Sequence, residues 1–166
     1  MKDPQAAISW LAGNEKLTGR DLDGATLSLL SGYAGRDVAA ATTYALGIIR
    51  QDDPLFGDTA FILSSAALQK GGVDGLLAWF DGLPDEQLKQ RLFPSVSNRL
   101  ESTSREQRAQ WLAAQAAMPY RNDQAYRDFV GGWAEEDPAA ALGWVLALPP
   151  SPKDGSTVGL GYAVFP

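Results

Sequence analysis

The chain has 166 residues, 45% of them hydrophobic and 20% charged, with a net charge of −6, a composition that can fold and bury a core on its own. It contains no cysteine and no histidine, which removes disulfides, the usual zinc sites and the commonest general base near neutral pH. Its fourteen Lys and Arg are scattered without a basic run, so no footprint for nucleic acid is present, and no apolar run approaches the ~18 residues of a membrane span.

The first ten residues, MKDPQAAISW, carry one lysine and an early Asp-Pro, unlike a secretory signal. As written, the sequence points to the cytoplasm. The Asp3-Pro4 pair instead opens a helix: the carboxylate suits an N-cap and proline loses no hydrogen bond at the first helical position. The run AAISWLA follows, and Trp10 stands seven residues after Asp3. Asn14 to Arg20 reads as a loop, and a second helix is expected over 21–34.

The same frame then recurs. Asp37 is followed seven residues later by Tyr44, Gly72 by Trp79, Ser104 by Trp111 and Asp137 by Trp144. The aromatics are separated by 34, 35, 32 and 33 residues. Four residues before the turn residue stand Tyr33, Leu68, Leu100 and Trp133, and Leu83-Pro84 and Leu148-Pro149 follow at eleven and twelve. The units therefore run 3–36, 37–71, 72–103, 104–136 and 137–166, each with two helical segments. Second helices are expected over 56–70, 85–101, 121–136 and 155–165, with a kink or break at Pro94 and a loop from Gln51 to Pro54. No strand alternation persists.

Within the first helix of the last unit, Ala140, Ala141, Trp144 and Leu148 share one face. Pro149-Pro150 ends it. Small residues admit a neighbouring helix closely and the aromatic fills the space beyond. A helix pair of this kind cannot bury its apolar face alone and must stack on its neighbours. The expected fold is all-α, a single domain over 1–166: a right-handed α-solenoid of about five αα-hairpins with a period of roughly 33–34 residues.

The period and paired helices resemble the tetratricopeptide class, although its Leu-Gly-x-x-Tyr and terminal-proline signature is not reproduced. The last unit is closer to a bacterial helical repeat of uncharacterised proteins, W-A-x-x-D-P-x-A-A-x-x-W…L-P. Trp133, Ala134, Asp137, Pro138, Ala140, Ala141, Trp144, Leu148 and Pro149 carry that pattern. The first and second units match it in part, and the third and fourth in spacing alone. The resemblance implies a helical scaffold of the kind that binds proteins or peptides, and carries over no catalytic residue.

The five tryptophans, at fixed positions, read as core rather than as a binding groove. A groove would be lined by positions two, six and nine after each turn residue, which lie away from the Ala/Trp face. They hold Gln5, Ser9, Thr43, Leu46, Asp74, Asp81, Glu106, Gln110 and Leu146. That surface is acidic in its middle and suits a basic or amphipathic peptide. Glu135, Glu136 and Asp137 sit at a helix junction, where capping accounts for them better than acid/base chemistry. Asp21-Leu22-Asp23-Gly24 fails as a calcium loop, since Ala25 and Thr26 fall where an acid and a glycine are needed. No phosphate loop, dinucleotide motif or nucleophile elbow occurs. No cofactor or metal is implied.

Three functions follow. The first is a non-enzymatic scaffold binding a protein or peptide. The second is a structural segment of a longer solenoid or a homo-oligomer, because AAISWLA and VGLGYAVF leave both ends apolar and open to self-association. The third is an enzyme using carboxylates, Tyr or Lys in a helical pocket, which a regular repeat disfavours.

Overall fold

The computed structural model describes residues 4–50 and 53–152. Their regular structure is entirely helical, with no strand among the described residues. The chain divides at Leu83 into two compact units, Met1–Leu83 and Pro84–Pro166. The division falls between the two helical segments of the third predicted repeat. The segment expected as a helix over 155–165 lies outside the described residues.

The first unit holds α1 (Pro4–Ala12), α2 (Gly19–Ala34), α3 (Val38–Ile48) and α4 (Phe56–Asp81). Helix α2 lies against α1, α3 and α4. Its core gathers Leu30, Ala34, Ala41, Ala45 and Leu63, with Tyr33, Tyr44, Ile62, Ala66 and Trp79 packed around it. Alanine dominates because these helices approach closely, and the aromatics fill what is left. Asp37 caps α3 as expected, its carboxylate accepting from the Ala40 amide at 2.9 Å. Asp53 accepts from the Leu55 amide at 2.8 Å and fixes the turn into α4.

Helix α4 spans two predicted segments, 56–70 and the first helix of the third unit. The break between them lies at Gly72, whose backbone is at φ 60°, ψ −152°. That conformation is essentially open to glycine alone. Three residues later a β-carbon on Gly75 would lie 2.9 Å from the Ala67 carbonyl oxygen. Glycine there lets segment 73–81 pass close to segment 56–71. Trp79 then reaches α3 and donates to the Thr42 hydroxyl at 2.9 Å.

The second unit holds α5 (Glu86–Arg99), a 3-10 turn (Leu100–Ser102), α6 (Arg105–Gln115), α7 (Asp123–Glu136) and α8 (Pro138–Ala147). Every α-helix here has a side-chain cap. Asp85 accepts from Leu88, Asn122 from Gln124 and Ala125, and Asp137 from Ala140. Ser104 and Gln107 form a reciprocal capping box. Helix α5 runs through Pro94 without a break. Pro94 and Gln90 are both exposed, so the carbonyl that proline leaves without its usual partner is within reach of water.

Aromatic rings make a continuous chain through this unit. Phe93 lies 4.6 Å from Trp111 and 6.3 Å from Tyr126, and Tyr126 lies 6.4 Å from Trp144. Trp144 also meets Phe129 edge-on at 5.2 Å and Trp133 at 6.1 Å.

The expectation that all five tryptophans are core needs correction. Trp111 is fully enclosed, Trp79, Trp133 and Trp144 are half-buried, and Trp10 is 62% exposed. Burial depends on whether another helix covers the ring, and local sequence does not decide that.

Candidate functional site

A well-defined concavity lies in the second unit. It is a cleft of about 360 Å³ bounded by the 3-10 turn, the start of α6 and the second half of α7. The capping box at Ser104 sets the direction in which α6 leaves the turn. Arg105 and Arg108 then fall three residues apart and project to the same side of α6. Opposite them, α7 presents Asp128, Phe129, Gly132, Trp133 and Glu136.

Each arginine is held twice. Arg105 forms an ion pair with Glu136, and its guanidinium sits 5.6 Å above the Trp133 ring. Arg108 pairs with Glu101 at 3.4 Å and lies 5.3 Å above Phe129. Such cation–π contacts shelter the cationic heads against ring faces. The side chain of Arg108 is only 14% exposed. Burial pushes its pKa down, and the charges of Glu101 and Asp128 oppose that shift. Its Nε–H is enclosed with no oxygen acceptor.

Arg108 therefore lies deep, Arg105 is partly exposed, and the carboxylates stand at the rim. Glu101, Asp128 and Glu136 are all exposed, and Asp128 also accepts from the Gln124 amide nitrogen at 2.6 Å. The cleft hydroxyls are engaged by neighbouring groups: Thr103 donates to the Leu100 carbonyl at 2.6 Å, and Ser104 accepts from the Gln107 amide at 3.2 Å. Glu106, at the head of α6, is held below the usual carboxylate range by backbone and Ser104 hydrogen bonds. Among the described residues, no group of three or more Asp or Glu is placed to hold a metal ion.

The α6–α7 connection carries a buried polar network. Arg121 is 1% exposed, donates to the Ala116 carbonyl at 3.1 Å and sits 4.3 Å over the Tyr126 ring. Its Nε lies 2.7 Å from Asp123 Oδ1, close but poorly aligned for a hydrogen bond. Tyr126 donates to the Leu112 carbonyl at 2.6 Å, and Tyr120 to Gln115 Oε1 at 2.9 Å. Burial pushes the Tyr126 phenol well above its ordinary pKa. These groups join the α6–α7 connection to both helices.

None of the groove residues expected from sequence lines the cleft. Ser9 lies on α1, Thr43 and Leu46 on α3, Asp74 and Asp81 on segment 73–81 of α4, Glu106 and Gln110 on α6, and Leu146 on α8. All eight are exposed. Of Gln5 only the backbone, within α1, is described. Asp137 caps α8 as expected, whereas its neighbour Glu136 pairs across the cleft with Arg105. Sequence reasoning missed the cleft. Its one signal was Arg108, four residues after the turn residue, where the other units place alanine or leucine.

No protein family, curated protein or solved structure matches the chain. Among the described residues, no helix is long and apolar enough to cross a membrane.

Proposed function

We propose that the chain is a non-enzymatic helical-repeat scaffold, an α-solenoid of αα-hairpins, that binds a protein or peptide. The observation that carries this reading is the exposure of all eight described candidate groove residues, which stand two, six or nine after a turn residue. On the same helices Ala41, Ala45, Leu76, Phe80, Trp111, Leu112, Ala141 and Val145 are buried. The first helices thus keep one face for the core and leave a mixed face to solvent. Asp74 and Asp81 in the first unit, and Glu106 in the second, give these exposed faces a negative character suited to a basic peptide.

Selection from a random peptide display library on the immobilised chain tests the proposal. The expected result is enrichment of sequences combining Lys or Arg with aliphatic residues. Their affinity then drops at least tenfold when Asp74, Asp81 and Glu106 are all changed to lysine. Lack of enrichment, or affinity that ignores the triple change, removes the assignment. A second reading, a structural segment that assembles with further helices, is favoured by the exposed Trp10.

A further inference from the structure

The aromatic seven residues after each turn residue meets an earlier helix in every case but one. Tyr44 lies 6.3 Å from Tyr33 of α2. Trp79 donates to Thr42 of α3 and packs on the cluster around Leu63. Trp111 lies 4.6 Å from Phe93 of α5. Trp144 rests on Tyr126, Phe129 and Trp133 of α7. Trp10 is the exception, at 62% exposure.

Ala7 tells the same story three residues earlier. Of its four counterparts four after the turn residue, the three apolar ones, Ala41, Leu76 and Ala141, are each 0% exposed, while Ala7, like Arg108, is only partly buried. The uncovered strip on α1 is therefore the one that a preceding helix covers elsewhere in this molecule. Helix α1 closely matches α8 in sequence, PQAAISW against PAAALGW. The helix that covers α8 is α7, through Tyr126, Phe129 and Trp133, spaced i, i+3 and i+7 on one face. No side chain of α1 is charged, so an apolar helix meets no unpaired charge there.

We infer that the Ala7/Trp10 face of α1 docks an amphipathic helix of the α7 type, supplied by another protein. That helix presents aromatic side chains at i, i+3 and i+7. Trp10 would seat among its rings as Trp144 does among those of α7, and Ala7 would let the two backbones approach. The inference rests on the repeat register and is independent of the acidic groove.

The test is fluorescence anisotropy with a labelled peptide spanning residues 123–137. A free helix this short is marginal in water, so a lactam bridge joins Asp128 to a Gln124→Lys substitution on the polar side. The expected result is saturable binding to the full chain. It should fall at least tenfold for Trp10→Glu, whose helical circular dichroism stays unchanged, and for a peptide with all three rings changed to serine. Absence of saturable binding overturns the inference. So does binding that ignores Trp10→Glu, which would mean exchange with α7. Light scattering on the chain alone supplies the third arm: a dimer abolished by Trp10→Glu assigns the face to a second copy and overturns the choice of partner. Charge reversal at Asp74, Asp81 and Glu106 leaves this peptide's binding unaltered, which separates failure here from failure of the groove.

Discussion

Substituting Gly75 with alanine sets two effects of known sign against each other. In the interior of a helix, alanine is favoured over glycine by about 1 kcal/mol. At Gly75, however, the new β-carbon would sit 2.9 Å from the Ala67 carbonyl oxygen. The obstacle is backbone in segment 56–71, so it cannot swing aside as the tip of a side chain would. Forcing such contacts costs about 1–3 kcal/mol. Net destabilisation is therefore roughly 0–2 kcal/mol after the propensity gain. Gly24→Ala is the internal control. It lies in α2 of the same unit, with nothing within 4 Å of its β-carbon, and should stabilise by about 0.5–1 kcal/mol. The two variants should then differ by about 1–3 kcal/mol, or several degrees of melting temperature at about 4–8 °C per kcal/mol. Thermal and urea unfolding followed by circular dichroism measure this directly. Equal stabilisation by both substitutions would refute the claim that close approach of the two α4 segments requires glycine.

Gly72→Ala places a β-carbon at φ 60°, ψ −152° and should cost about 1–3 kcal/mol in urea unfolding; a cost near zero would mean the break at Gly72 is not retained in solution. Arg121→Met keeps side-chain bulk but removes a buried cation from Ala116, Asp123 and Tyr126. Because Asp123 retains 27% exposure and can rehydrate, the expected loss is about 1–3 kcal/mol, less than for a fully buried pair. Stability unchanged in denaturant would show that the network is dispensable. The raised pKa of Tyr126 implies that its stabilisation is complete below the unfolded value of 10.0 and is lost as pH rises above it, since only the unfolded phenol then ionises readily. Urea midpoints should fall through alkaline pH more steeply for the parent than for Tyr126→Phe. That variant should also lose about 1 kcal/mol at neutral pH with the hydrogen bond to Leu112.

The features legible in sequence are those that local chemistry decides. Asp37, Ser104 and Asp137 cap helices because a short polar side chain before an apolar run satisfies free amides a few residues on. Gly72 breaks a helix because its backbone adopts a conformation that other residues resist. Helices α3, α6, α7 and α8 consequently start close to where the pattern puts them. The expected break at Pro94 was a local argument too, but exposure of the affected turn lets the helix continue through proline. Neither the cleft nor the Arg121 network could be read this way. Arg108 occupies a position that the other units fill with alanine or leucine, and only Phe129 and Glu101 across the cleft make it a comfortable place for a cation. Arg121 reads as a loop residue until α6 and α7 close over it.

The sequence by itself determined the helical content, the caps and the break at Gly72, because all of these depend on neighbours within a turn or two. Tertiary structure alone decided which aromatic faces are covered. PQAAISW and PAAALGW are nearly the same peptide, yet Trp144 rests on three rings of α7 while Trp10 stands 62% exposed. Burial belongs to a pair of surfaces, and a helix carries only one of them in its own sequence.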